Sequence, residues 1–278
     1  TSKDEFLKLA IISAENYIDK MLSVNRLDLH LVEGEIHNGG VNKLILNDIN
    51  VVSIGTITAD DSEYTQTDSY DIDNYILRLQ YYLGGGKREV NIDYVAGWNA
   101  AGMAKLTVDD YSSITSGFTI KLDYGSSSAT YTEGTDFIAG TSNSATASSI
   151  ADAINQLATG ETATGIRSFA LNENVYIIDE YPERETSTIT VSDLTGISLE
   201  SGGGTSGSSA TALTMDGVDF PETIRTAIMI MVSDALNKQK AHGISSYKIG
   251  SKSVAFSNDA IDKVNLLIRP YQKMTVIC

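Results

Sequence analysis

The chain has 278 residues, enough for one large or two ordinary domains, and its 42% hydrophobic and 20% charged content excludes wholesale disorder. A net charge of −16 argues against nonspecific nucleic-acid binding, which needs clustered Lys and Arg, and the 1 cysteine, Cys278, excludes an internal disulfide or a cysteine-built metal knuckle. No apolar run reaches the roughly 20 residues of a membrane span, and the charged start Ser2-Lys3-Asp4-Glu5 lacks the basic-then-apolar order of a signal peptide, so a soluble, cytoplasmically made protein is expected.

Ser2 and Glu5 have the spacing of a capping box, and Phe6, Ala10, Ala14, Tyr17, Ile18 and Met21 recur at helical intervals, which predicts a helix to about Leu22. From Arg26 the period shortens to two, with Leu27, Leu29 and Leu31 on one face of a strand. His37-Asn38-Gly39-Gly40 is turn chemistry, and strands are expected over 43–46 and 51–58. The segment 60–71 is polar and loop-like. Tyr75, Leu77, Leu79 and Tyr81 alternate up to Gly84-Gly85-Gly86, and Val90, Ile92 and Tyr94 alternate back, which predicts a hairpin.

After Trp98 the texture changes to Gly, Ser, Thr and Ala. Strands are expected at 118–122, 129–131, 168–171, 175–178 and 187–191, interrupted by a helix that Ser144 caps, that buries Ile150, Ala153, Ile154 and Leu157, and that Gly160 ends. The run Ser201 to Ser209 has linker composition. Lys105 to Gly217 holds 15 acidic and 4 basic residues, whereas Val218 to Cys278 holds 5 acidic and 8 basic, so the middle segment carries most of the acidity as solvated surface.

Pro221 suits the first turn of a second long helix, with Ile224, Ile228, Met231 and Ala235 as its stripe and Gly243 as its C-cap. A short hairpin over Gly250-Ser251 and a last helix follow, the helix capped by Asn258 or Asp259 and carrying Ile261, Val264, Leu267 and Tyr271 on one face. The end, Met274 to Cys278, is apolar and extended.

No catalytic constellation emerges. His30, His37 and His242 fall in a strand, a turn and a helix end, none at metal-ligand spacing to another, and read as ordinary surface or half-buried imidazoles, and neither a nucleophile elbow nor a phosphate-cradling loop is present. Asp71-Ile72-Asp73-Asn74 fails the pattern of a calcium loop at its later positions. Asp179, Glu180, Glu183 and Glu185 around Pro182 could pair for glycoside hydrolysis, but an exposed acidic turn explains them more simply. The chain is read as a non-enzyme, with no cofactor and no metal.

Two separated stretches share one order. Ile92, Tyr94, Ala96, Gly97 and Trp98 end a strand, and Pro221, Ile224, Arg225 and Ala227 start a helix. That order resembles the phage head-tail connector (adaptor) family, in which a V-x-Y-x-A-G-[YW] strand end precedes a P-x-x-[IL]-[KR]-x-A helix start. Gly243 to Gly250 followed by Ser253 to Phe256 is similar to the family's later hairpin, and 44–51 to an earlier stretch, with Asn50 where the family usually has proline. The resemblance covers 1–101 and 218–278, and the motif residues taken from it are Tyr94, Gly97, Trp98, Pro221, Arg225, Ala227, Gly243 and Gly250.

The resemblance implies an α+β fold. A connector core of N-terminal, long central and C-terminal helices with antiparallel strands and hairpins (1–103 and 218–278) would be interrupted by a mostly β inserted domain (104–217), itself similar to small α/β or immunoglobulin-like decorations of phage proteins. It further implies a structural virion protein at the neck between head and tail, assembled in the host cytoplasm. Copies would form a ring, in the family usually a dodecamer, that binds the portal and the tail or its terminator or stopper protein, touches no membrane, and lets viral DNA pass without specific binding. Tyr271, Met274, Val276 and Ile277 are the residues expected to dock on the portal, and the insert is expected to project away from the channel. The alternative is a carbohydrate- or cell-surface-binding module carried by the insert.

Overall fold

The computed structural model describes residues 2–24, 26–59, 62–63, 70–79, 89–158, 165–180, 187–201, 211–218, 221–241 and 256–272. Helix α1 (Ser2–Leu22) comes first. Strands β1 (His30–Asn38), β2 (Lys43–Ile45), β3 (Val51–Ala59), β4 (Ser62–Glu63), β5 (Tyr70–Asp73), β6 (Ile76–Leu79) and β7 (Glu89–Ala96) follow. Strand β8 (Asn99–Val108) leads to β9 (Thr119–Tyr124), β10 (Ser127–Thr132), helix α2 (Asn143–Ala158), β11 (Ile166–Leu171) and β12 (Asn174–Asp179). Then come β13 (Ser187–Val191), β14 (Ile197–Ser201), β15 (Ala212–Thr214), β16 (Asp216–Val218), α3 (Glu222–Ala241) and α4 (Asn258–Ile268).

The described residues thus form 16 strands in four antiparallel sheets and four α-helices. The protein is mostly β, and the expected helical core with a long central helix is overturned. The centre is a stack of sheets. Sheet β2-β6-β5 packs through Leu44, Leu46, Leu77 and Leu79 on one face of sheet β1-β7-β3-β4, whose Val90, Ile92, Tyr94 and Ala96 point toward it. The other face of that sheet, through Leu29 and Val95, meets Met103, Leu171, Tyr176 and Ile178 of sheet β11-β12-β8-β14. That third sheet turns its second face to α2 and to sheet β10-β9-β13-β15, closing the largest core from Ala104, Leu106, Ile120, Tyr131, Ile150, Val175 and Ile189 among others.

Strand β12 shows why the third sheet sits between two layers. Its Val175-Tyr176-Ile177-Ile178 run is buried on alternating sides, as expected of a strand covered on both faces. Helices α1, α3 and α4 gather at one end of the stack, where Ala14, Ile18, Ile224, Ala227, Met231, Val264 and Ile268 pack with Ile49, Tyr75 and Trp98. The physical reason for the wrong expectation is that long helices give strong periodic signals, while most of the strands are three to nine residues long and speak only through pairing.

Several local expectations change as well. The hairpin predicted between 75–81 and 90–94 does not exist among the described residues, because β6 lies between β2 and β5 while β7 lies between β1 and β3. The second-helix cap is Ser142, whose Oγ accepts from Ala145 N at 3.1 Å, in place of Ser144. Helix α4 is capped by Ser257, whose Oγ accepts from Ala260 N at 3.2 Å, in place of Asn258 or Asp259. Ser201, read as the start of a linker, is buried at the end of β14.

Candidate functional site

The two halves of the split signature meet. Strand β16 pairs antiparallel with the start of β8, placing Val218 opposite Asn99 and Asp216 opposite Met103. Phe220 lies outside the described residues, but the chain leaves β7 at Ala96 and comes back at Val218 beside the point of departure. Trp98, Ile224 and Ala227 then share one buried cluster at the helical end.

Gly97 makes the exit possible. Its φ is +104°, and a Cβ there would stand 2.7 Å from the Asp28 carbonyl carbon and nearer still to its oxygen, a position open only to glycine. The chain is pinned on both sides of it. Gly97 N donates to Asn50 O (3.1 Å), Trp98 N to Leu27 O (2.9 Å), and Leu29 N to Trp98 O (2.8 Å). Asn50, at φ +56°, donates its Nδ2 to Gly97 O at 2.6 Å. Asparagine, which tolerates the left-handed region, serves this turn where a proline, confined to negative φ, would not.

The remaining motif residues divide by location. Pro221 O accepts from Ile224 N (2.9 Å) and Arg225 N (3.1 Å), opening α3. Arg225 is exposed and pairs with Glu222 at 3.4 Å, while Ala227 is fully buried. Tyr271 packs edge-on against Trp98, with ring centroids 6.3 Å apart, and accepts from Thr223 Oγ1 at 3.0 Å. Gly243, Gly250, Met274, Val276 and Ile277, with His242, Glu183 and Glu185, lie outside the described residues.

Tyr94 opens onto a feature that sequence reasoning missed. Its hydroxyl donates to Glu35 Oε2 in a short bond and accepts from Asp48 N at 3.2 Å. Glu35 Oε1 also accepts from Asn47 N (2.9 Å) and from His37 Nε2 (2.6 Å). His30 Nδ1 faces Asp28 O at 2.7 Å, and its Nε2 faces Asp48 Oδ2 at 3.3 Å. Tyr94 and Asp48 are fully buried, and Glu35 and His30 nearly so. Burial raises the Tyr94 pKa further above its ordinary value, helped by the neighbouring Glu35 and Asp48 charges. Burial lowers that of His30, but the bonds to Asp48 and Asp28 outweigh it and the net shift is upward.

A bulge assembles this network. Between Val32 and Glu35, β1 spends three steps where β7 spends two, with Gly34 at φ +64° and its N donating to Asp93 Oδ1 at 2.7 Å. Strict alternation would put His30 and Glu35 on opposite faces of the strand, and the extra residue brings both onto the face of Tyr94. The glycine inside an alternating strand was the signal that could have found it.

The remaining polar candidates are engaged in structural pairs. Arg78 binds Asp71 and Asp73, each at 3.1 Å, which accounts for the aspartates weighed as calcium ligands. Asp179 is buried and accepts from Ser187 Oγ, and Glu180 pairs with Arg167 Nε at 2.6 Å. Among the described residues no group of three or more His, Cys, Asp or Glu side chains is placed to hold a metal ion, and no helix is long and apolar enough to cross a membrane. A shallow groove of about 530 Å³ runs along α3 and α4, lined by Met229, Ile230, Asp234, Asp259 and Lys263 among others. The chain matches no known family model and no curated protein.

Proposed function

We propose that the protein is a structural component of a phage neck, a head-tail connector whose copies form a ring between the portal and the tail, with DNA passing through the bore and no catalysis by this chain. The observation that carries the reading is the junction: strand end Tyr94 to Trp98 and helix start Pro221 to Ala227, separated by more than 120 residues of sequence, are brought to one place by the pairing of Asn99 with Val218.

Exposed apolar residues on the helices support a self-associating role. Leu7 and Ile12 on α1, Met229 on α3 and Leu266 on α4 stand in solvent in the single chain, and a head-to-tail ring offers each a neighbour to pack against. Net charge −16 suits a wall past which a polyanion slides without sticking. The location that follows is the virion neck. Portal docking is proposed for Tyr271, half-buried beside Trp98, together with Met274, Val276 and Ile277.

The test is the mass of the purified chain in solution, alone and with the portal protein. A discrete closed oligomer that binds the portal is expected. A chain that stays monomeric at high concentration and ignores the portal overturns the reading.

A further inference from the structure

We propose that His30 and Asp48 form a proton-dependent latch, in which one proton held between the imidazole and the carboxylate fastens the loop Asn47–Asn50 to β1 and so holds the Gly97-Trp98 junction closed. The inference does not depend on the connector reading, since it rests on which atoms face each other.

His30 Nδ1 lies 2.7 Å from Asp28 O, a carbonyl that only accepts, so Nδ1 carries a hydrogen. Nε2 lies 3.3 Å from Asp48 Oδ2. If Asp48 is ionised, its oxygen only accepts, and Nε2 must also be protonated. If His30 is neutral, its Nε2 lone pair needs the proton to sit on Asp48. Either way the contact contains one proton. Without it, a lone pair and a carboxylate oxygen face each other inside a site where Asp48 is fully buried and His30 is 7% exposed, an arrangement that low-dielectric surroundings penalise heavily.

Loss of that proton reaches the junction through a short covalent path. Asp48 is two residues from Asn50, whose carbonyl accepts from Gly97 N and whose Nδ2 donates to Gly97 O. Between them Ile49 is buried in the cluster that also holds Trp98. On the other side, Asp48 N is tied to the Tyr94 hydroxyl.

The charged and titratable groups around the pair come from each neighbouring element. Strand β1 supplies Glu35 and His37, paired with each other at 2.6 Å. Strand β7 supplies Tyr94, while its neighbour Asp93, on the opposite face of the strand, accepts from Gly34 N. The segment before β1 supplies Asp28, whose carboxylate is held by Arg26 and Arg167, and α1 adds Glu15 and Asp19 beyond it. Negative groups outnumber positive ones around His30, which favours its protonated form.

The sign follows from linkage. A histidine that holds its proton more tightly when folded contributes stability that is complete below the unfolded value of about 6.5 and is lost as pH rises through the folded value. Release of one proton lowers the folding equilibrium constant by up to about tenfold per pH unit in that window.

The experiment follows urea unfolding of the full chain by Trp98 fluorescence between about pH 6 and about pH 9, comparing wild type with Asp48→Asn. An asparagine amide can donate to neutral His30 Nε2 and needs no additional proton, so the wild type should lose stability across the window while the variant changes less by one proton's slope. Equal slopes overturn the latch. Should the variant fail to fold, the ring resonances of His30 in the wild type decide. A change of those signals with pH centred above the ordinary histidine value supports the proposal, whichever of Nε2 and Asp48 carries the proton, and a change centred at or below that value overturns it.

Discussion

Asp19 shows at the scale of one side chain how this fold stores unfavourable charge. It sits near the end of α1, and its Oδ1 is buried with no hydrogen-bond partner among the described residues. Burial first, then the Glu15 and Asp28 charges, push its carboxyl up to about 7, against the opposing pull of Arg26 and the Leu27 amide. The folded chain therefore holds a proton that the unfolded chain releases near 3.8, and stability falls as pH rises from there to about 7. Asp19→Asn removes the charge and keeps the shape. We expect it to stabilise the protein by about 1–2 kcal/mol at pH values above the window, a figure reduced from the full shift because the side chain is partly exposed, and to be neutral at about pH 3. Urea midpoints at the two ends check this, and an equal gain at both would show that packing is responsible. The sequence placed Glu15 one helical turn before Asp19 on α1, but it marked neither the burial of Asp19 nor the approach of Asp28, which comes back to it only after the turn that ends the helix.

At the scale of elements, periodicity carried the sequence reading where packing has one face. The α1 stripe Phe6, Ala10, Ala14, Ile18 and Leu22 is buried at four-residue intervals, the strand positions at 168–171 and 187–191 fall within β11 and β13, and those at 118–122 overlap β9 from Thr119 onward. It failed where pairing decides. Val90, Ile92 and Tyr94 alternate equally well beside β6 or between β1 and β3, and only the long-range ladder with Ala96 opposite both His30 and Val51 chooses. It failed again at the β1 bulge, where one added residue reverses the faces of Glu35 and His37 and so hid the buried network from a reading based on strict alternation. The Gly97 turn was legible as a motif, and its cause is now physical. Gly97→Ala forces a Cβ against the Asp28 carbonyl at φ +104°, and we expect a loss of about 2 kcal/mol or more. Chemical denaturation measures it. A loss below about 0.5 kcal/mol would mean that the 26–29 segment moves aside at little cost.

For the whole molecule, the insert's composition suggested a separate body, and the largest hydrophobic cluster among the described residues is drawn from residues between Ala104 and Met215. Composition could not reveal that the outer face of the insert's own sheet is apolar too and is covered by the neighbouring sheet. Leu29 and Val95 on one side and Met103, Leu171, Tyr176 and Ile178 on the other share a cluster. Gly55 leaves room for Leu171, whose Cγ would lie 2.7 Å from an added Cβ. Arg167 of β11 reaches across to the Asp28 carboxylate at 3.0 Å and to the Leu29 carbonyl, and Thr56 Oγ1 donates to Asn172 Oδ1 at 3.2 Å. At about 1.5–3 kcal/mol for each fully buried apolar side chain, the six of this seam are together worth about 9–18 kcal/mol, comparable to the whole stability of an ordinary domain, about 5–15 kcal/mol. Separating the two bodies would therefore cost about as much as unfolding either, and the chain should unfold in one step despite its length. We expect a single calorimetric transition in which the measured and van't Hoff enthalpies agree, with Trp98 fluorescence at the helical end and far-UV circular dichroism of all four sheets changing together. Two resolved transitions, with the tryptophan following only one of them, would show that the seam is weaker than its buried side chains imply and that the insert stands as an independent unit.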